Sequence, residues 1–432
     1  TYDRPLDDIF ALQDEIAGRV VDSLQVLLSS ASQEVLSRQQ TMDPAAYDFY
    51  LRGRDYLRRP VDRSNLLKAI RMFTRSTELS PEFADAWAGL CDGRLLLYKL
   101  TLSGEHFGLA EQACRQALVL ESGAVAVHVA LGNLYRESGQ FQLALEQFRR
   151  ALSVNPRAVE AWLGQADTLA GQGRDQLAED NFRRAIELQP NYWLAYMNMG
   201  RYLFARGRVE EAIPYYQRVS QLMPESESAL NGLGSAYYLN GDFEAAVEAF
   251  NQSLQLAPTA LAYSNLGANL YFLGRFDEAV ETYHRAVELS PEDFELWGNL
   301  GDAYRHAQRG SDLAPPMYRN AIKLALEQLR VNPANAWALG SLGHYHASLG
   351  ERDAALDYIA RATGEAPKDM YVRYFAATAL CVLGETEQAL GELERAVALG
   401  YPRHMVAVDA GFRTLQQEPR YRALLAAGEG DS

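Results

Sequence analysis

The stretch Ala130-Leu131-Gly132-Asn133-Leu134-Tyr135, continued by Gly139, Ala144, Phe148, Ala151 and Pro156, decides the fold. A glycine inside a helix costs about 1 kcal/mol relative to alanine, so Gly132 needs a packing reason: it lets a second helix come close. Gly139 fits the left-handed residue that closes a helix end. Pro156 cannot continue a helix. The stretch therefore reads as helix, glycine turn, helix, proline.

Each of these features recurs along the chain. Pro156, Pro190, Pro224 and Pro258 are 34 residues apart, Pro291 follows at 33, Pro333 at 42 and Pro367 at 34. A second ladder, Gly132, Ala166, Gly200, Gly234, Gly267, Gly301, Gly343 and Ala377, keeps that period inside the first helix of each unit. It faces an alanine series in the second helix: Ala144, Ala178, Ala212, Ala246, Ala279, Ala355 and Ala389. Between the helices run Gly139, Gly173, Gly207, Gly241, Gly274, Gly350 and Gly384. Large residues such as Trp162, Leu169 and Phe182, or Trp297, Leu300 and Tyr304, are spaced to share the buried faces of each pair. A fixed period of this length predicts a repeat architecture.

These residues resemble the tetratricopeptide-repeat (TPR) family, whose pattern of tryptophan, leucine-glycine, tyrosine, alanine, phenylalanine, alanine and proline runs over about 34 positions. The match covers 46–399, some ten units. It implies an all-α, right-handed superhelical α-solenoid with capping helices at both ends. The sequence departs from the pattern at Ser122, which replaces a proline, and with extra residues near 59–64 and 100–107. In the eighth unit, 308–316 reads as an expanded turn, followed by a long second helix over 318–331. Insertions in solenoids are expected in loops on one face.

The composition is that of a folded protein: 432 residues, 48% hydrophobic and 22% charged. A formal charge of −15 disfavours nucleic acid as a ligand. The three cysteines, Cys91, Cys114 and Cys381, lack CxxC spacing and suggest neither a disulfide framework nor a zinc site. They read as small buried apolar residues. No stretch approaches the ~20 apolar residues of a membrane span, so no direct membrane insertion is expected. Thr1-Tyr2-Asp3-Arg4-Pro5 lacks signal-peptide features and an initiator methionine, which reads as a piece of a longer protein. A cytoplasmic location is expected, or a periplasmic one if an upstream signal or transmembrane segment exists.

Residues 1–40 read as an amphipathic helix, a linker or the remnant of an upstream domain. Pro5-Leu6-Asp7-Asp8 suits a helix start, and Leu6, Ile9, Phe10, Ile16, Val20, Leu24 and Leu27 form an apolar stripe. The array then occupies 41–400, with C-terminal capping helices and a tail over 401–432. Tyr2-Asp3-Arg4 and Asp8-Ile9-Phe10-Ala11-Leu12-Gln13-Asp14-Glu15-Ile16 resemble a segment that precedes TPR arrays in certain bacterial multidomain regulators. Those carry an adenylate cyclase, a protein kinase or a winged-helix domain upstream. Leu399-Gly400-Tyr401-Pro402, Leu415, Pro419-Arg420-Tyr421 and Leu424-Leu425 are similar to how such chains finish.

The family resemblance also implies that unit positions 2, 5, 9 and 12 of the first helix line a groove. Met197, Arg201, Phe204, Asn231, Tyr238, Tyr271, Asp302, Arg305, Trp337, His344, Tyr371 and Tyr374 fall on this projection in units five to ten. Aromatic residues and arginine anchor protein contacts most effectively. Asn198, Asn265 and Asn299 share a further position, where other TPR proteins hydrogen-bond a peptide backbone; a structural amide is the alternative. The lysines that clamp a terminal carboxylate in chaperone cofactors do not accompany them.

Catalytic motifs are missing: there is no GxxxxGK, no GxGxxG after a strand, no HExxH and no GxSxG. His344 and His346, two apart on a helix, point to different faces and suit shared metal ligation poorly. Glu210 and Glu211 fit a solvated helix start. No catalytic residue, metal or cofactor is therefore expected. The sequence reads as a scaffold for a protein or peptide partner, with a regulatory arm of a signalling protein and a self-associating module as alternatives.

Overall fold

The positions at which each helix must stop set the architecture. Among the expected turn glycines, Gly139, Gly173, Gly207, Gly241, Gly274, Gly350 and Gly384 all have φ between +71° and +88°. This is the left-handed region that favours residues without a Cβ. Leu102, with φ of +53°, holds the corresponding helix end of the second unit. The computed structural model describes residues 43–59, 62–308 and 310–426; the N-terminal helix expected over 1–40 lies outside them.

The helices follow in pairs: α1 (Pro44–Arg58) and α2 (Arg63–Leu79), α3 (Ala84–Thr101) and α4 (Gly104–Leu120), α5 (Val125–Glu137) and α6 (Phe141–Val154), α7 (Val159–Gly171) and α8 (Asp175–Leu188). Next come α9 (Trp193–Ala205) and α10 (Val209–Leu222), α11 (Glu227–Asn240) and α12 (Phe243–Leu256), α13 (Ala260–Phe272) and α14 (Phe276–Leu289). The array continues with α15 (Phe294–His306) and α16 (Ala314–Val331), α17 (Ala336–Ser348) and α18 (Arg352–Glu365), α19 (Met370–Val382) and α20 (Thr386–Ala398). A short α21 (Arg403–Val408), a 3-10 segment Ala410–Leu415 and α22 (Pro419–Ala426) end it. The described residues contain no strand. The chain divides into two compact bodies, Thr1–Met199 and Gly200–Ser432.

What the small-residue ladder accommodates is a ring from the second helix. A Cβ on Gly132 would stand 2.6 Å from the Phe148 ring, one on Gly234 2.6 Å from Phe250, and one on Gly301 2.7 Å from Tyr318. The ring also meets the next unit, since a Cβ on Gly164 would lie 2.3 Å from Phe148. Each ring is thus wedged between two first helices, while the alanine series beside it is completely buried. Bulk on one side demands its absence on the other, because interiors are close-packed.

Position 4 of the unit packs against the core and does a second task as well. Trp162 and Trp297 are half-buried, and their indole N–H groups donate to the carbonyls of Pro156 (3.0 Å) and Pro291 (2.8 Å). Trp87 treats Pro81 likewise, Tyr196 Oη donates to the Pro190 carbonyl, and Arg373 donates to that of Pro367. These side chains satisfy a carbonyl left over where one unit ends and the next begins.

Two expectations need correction. Cys91 and Cys114 are joined in a disulfide across α3 and α4, with Cα atoms 5.3 Å apart. They occupy the sites where other units place a glycine and a ring, so the contact that sequence spacing hides is brought about by the helix pair itself. Cys381 is free and buried, as expected. The turn of the eighth unit is also shorter than 308–316: Ala314, Pro315 and Pro316 open α16, where prolines in the first turn are tolerated, and this helix runs long to Val331 as expected. Gly267 and Tyr283 are 16 residues apart and Gly301 and Tyr318 17, so the turn gains one residue and the end of the helix gains seven. Seven residues make about two helical turns, which keeps Tyr318, Ala321, Ala325 and Leu329 on one buried face. The first two units likewise take their additions as helix, with 17 residues in α2 and 18 in α3. Helical residues bond their own backbone groups, which a long loop cannot do.

Candidate functional site

In the second body, several of the expected groove residues come together, and the chain's own C-terminal segment packs against Tyr238, Tyr371 and Tyr374. Tyr374 stacks on Tyr401 with centroids 4.5 Å apart, and its hydroxyl donates to Asp409 Oδ2 at 2.6 Å. Tyr371 meets Tyr401 edge-on, and Trp337 meets Tyr371 and Phe375. Tyr238 packs with Phe243 and Phe272 against the cluster that contains Tyr401, Met405, Val406 and Phe412. Tyr271 lies against Phe276 and His306, and Arg413 sits 5.6 Å above the Phe276 ring. Cys381 Sγ donates to the Gly411 carbonyl. The turn formed by Ala410–Leu415 and the α21 helix before it thus lie on the first-helix face, with Val406 and Phe412 completely buried.

A polar group is enclosed with them. Asp302 Oδ1 accepts from the Tyr318 hydroxyl at 2.7 Å and lies 2.8 Å from His344 Nε2. Burial pushes the Asp302 carboxyl up, but His344 and Tyr318 more than offset this and hold it below the usual range. Asp409 goes the other way: burial raises it despite the bonds from Tyr374 and the Gly411 N–H. Arg305 is exposed and donates to Ser348 Oγ at 3.4 Å.

The remaining expected residues do not join this group. Asn265 Nδ2 donates to Asn231 Oδ1 at 3.2 Å, and Asn198 Nδ2 to Asp167 Oδ2 at 3.4 Å, so both amides link successive units. Asn299 and Met197 are half-buried, Arg201 is exposed, and Phe204 meets Tyr216 edge-on.

The first body holds what sequence reasoning missed: a cavity of about 930 Å³. From α1 come Tyr47, Tyr50, Arg54 and Leu57, and from α3 come Asp85, Ala88 and Asp92. Helix α5 adds Ala126 and Val129, and α7 adds Glu160. These are positions 2, 5, 9 and 12 of the first four units, so the signal was present in the same projection. Its aromatic and arginine residues were simply fewer there. At the far side, Trp193 Nε1 donates to the Arg58 carbonyl at 3.0 Å, beside Tyr192, which lines the cavity.

Its electrostatics are set by enclosed carboxylates. Burial pushes Asp92 up to about 6, against the hydrogen bond from Asn133 Nδ2 (3.1 Å) and the charges of Arg54 and Arg136. Burial also raises Asp85, helped by Glu121. Arg54 donates to Tyr50 Oη at 3.0 Å and to Glu160 Oε1 at 3.4 Å. Among the described residues, no group of three or more His, Cys, Asp or Glu is placed to hold a metal ion, and no helix is long and apolar enough to cross a membrane.

A stack of paired helices with glycine turns and ring wedges defines an α-solenoid, a class that supports protein-interaction scaffolds in general. The family model described as the cilia and flagella-associated protein 70 C-terminal domain matches 175–411, over half of the chain, and a tetratricopeptide-repeat model matches 129–193. The chain belongs to the tetratricopeptide-repeat family. Among curated proteins, 89 residues are 37% identical to "Putative adenylate cyclase 3" of Rhizobium meliloti (strain 1021), covering 21% of this chain and 15% of that protein. The match therefore takes in only a small part of the cyclase. Among solved structures, Pseudomonas aeruginosa pilF is 22% identical with a TM-score of 0.41, covering 49% of this chain and 93% of its own. A thermophilic TPR protein of Thermus thermophilus is 27% identical with a TM-score of 0.33, covering 42% and 98%.

Proposed function

We propose that the chain is a binding scaffold that receives a peptide segment of a protein partner in the first-helix cavity of its first body. The observation that carries this reading is the cavity itself. Its volume of about 930 Å³ lies within the ~300–1,000 Å³ of pockets that bury a ligand. Its wall combines rigid rings (Tyr47, Tyr50, Tyr192) with apolar floor and a few fixed polar groups. Such a surface binds; it offers no nucleophile paired with a base. The test is binding of the whole chain to an array of random peptides, repeated with Leu51→Trp/Val154→Trp. Both positions line the cavity and are exposed, so the rings obstruct it without entering the core. Loss of all specific spots is expected; unchanged binding overturns the reading.

A second reading, a regulatory arm of a larger signalling protein, is favoured by the 37% identity to part of an adenylate cyclase. Sequencing the gene upstream of Thr1 tests it, and the lack of any effector domain there would remove it. The Cys91–Cys114 disulfide favours an oxidising compartment, such as the periplasm, over the cytoplasm.

A further inference from the structure

The cavity of the first body has a marked charge sign. Among the described residues, five carboxylates line it, those of Glu82, Asp85, Asp92, Glu121 and Glu160, against three guanidinium groups, those of Arg54, Arg58 and Arg157. Arg54 is already engaged by Tyr50 and Glu160. Asp85 and Asp92 stand seven residues apart on α3, hence on one face about two turns from each other. Asp92 accepts from Asn133, whereas Asp85 has no hydrogen bond or ion pair among the described residues. A carboxylate enclosed beside rings and apolar carbon has lost water without gaining a partner.

Resting on the proposal that this cavity is the peptide site, we infer that the peptide is basic: an extended segment that places an arginine or lysine cation on Asp85, with its aliphatic stem against Tyr50 and Phe83. Both the charge sign and the surroundings argue for it. A cation supplied from outside replaces the water that Asp85 has lost, and in a partly enclosed site the bond is stronger than at a free surface. The long stems of basic side chains cover apolar surface while the charged end pairs. An acidic segment meets the opposite field, since the carboxylates outnumber the cations in the lining.

The experiment uses the whole chain and the random peptide array, followed by anisotropy titrations of the strongest binders and their single substitutions. Binders are expected to share one arginine or lysine, whose change to glutamine weakens binding about tenfold, the weight of one charge-assisted bond. Asp85→Asn should give the same loss for the basic peptide and none for its glutamine form, with the far-UV circular dichroism unchanged. Binders that lack a basic residue, or that hold equally to Asp85→Asn, overturn this inference while leaving the cavity as the peptide site. Binders indifferent to Leu51→Trp/Val154→Trp overturn the site as well. Spermidine that displaces the peptide completely at equal concentration would show a small-cation site and likewise sink the inference.

Discussion

The two bodies use the same repeat to opposite ends. In the first, the first helices of four units enclose a cavity of about 930 Å³. In the second, the same positions carry Tyr238, Tyr271, Asp302, Tyr371 and Tyr374, and the chain packs its own C-terminal segment against Tyr238, Tyr371 and Tyr374. The difference teaches that aromatic residues at groove positions do not by themselves mark an open groove. A dense set of rings is also what is needed to bury a segment of the same chain, and large apolar side chains are driven out of water whichever partner is available.

The comparison is tested hardest at Phe412, completely buried under that C-terminal turn. If the turn is part of the core, Phe412→Ala destabilises the second body by about 3–5 kcal/mol, as for other buried rings. Urea unfolding of the whole chain should then show an earlier transition. A loss of only a few tenths of a kcal/mol would mean that the turn is a detachable cover and that the second face opens as the first does.

The first body has its own fastening in the disulfide, which closes a loop of 23 residues' separation. Cys91→Ser/Cys114→Ser should cost about 2–4 kcal/mol. Reduction with dithiothreitol should cost the wild type a similar amount and the variant nothing. Because Asp85 and Asp92 lie on the same helix as Cys91, the loss should be accompanied by weaker peptide binding. Equal stability of both proteins would show that the helix pair holds itself.

A smaller effect distinguishes the wedge from the bond. Gly132→Ala puts a methyl group 2.6 Å from the Phe148 ring, which Gly164 already confines from the other side. The gain in helix propensity, about 1 kcal/mol, should be outweighed by overpacking, for a net loss of about 1–2 kcal/mol. Gly132→Ala combined with Phe148→Leu should recover part of it, and a stabilised single variant would refute the wedge.

The repeat itself was almost entirely legible in the sequence, because its marks are local. A glycine forced to positive φ and a proline that ends a helix announce themselves without knowledge of the fold, and every expected turn glycine is left-handed in the structure. What could not be read depends on pairs of distant residues. Cys91 and Cys114 carry no spacing signal; only the antiparallel pairing of α3 with α4 brings them together. The turn of the eighth unit was read as too long for a related reason: prolines at 315 and 316 suggest a turn, but they are equally suited to a first helical turn. The projection placed the groove in units five to ten, where the chain's own C-terminal segment packs, and passed over the same positions that line the cavity of the first body. It could not see that 410–415 return to this face, since nothing in Tyr374 or Tyr238 says which chain will cover it.

The smallest expected effect concerns the cavity's carboxylate. Asp92 is raised from an ordinary value near 3.8 to about 6, chiefly by burial, so the folded chain holds its proton more tightly than the unfolded one. Stability linked to Asp92 is therefore greatest below about pH 4, falls as pH rises towards 6, and stays low above it. Asp92→Asn removes that penalty while its amide oxygen still accepts from Asn133. Because the cavity admits water, the full linkage value must be discounted, leaving a gain of about 1–2 kcal/mol at pH 7. The gain should vanish below about pH 4, where both proteins are neutral at this position. Urea midpoints at pH 4, 6 and 7.5 measure it. A gain that is the same at all three would come from packing rather than charge, and a loss at pH 7.5 would mean that Arg54 and Arg136 already compensate Asp92, making the cavity less acidic in effect than its composition.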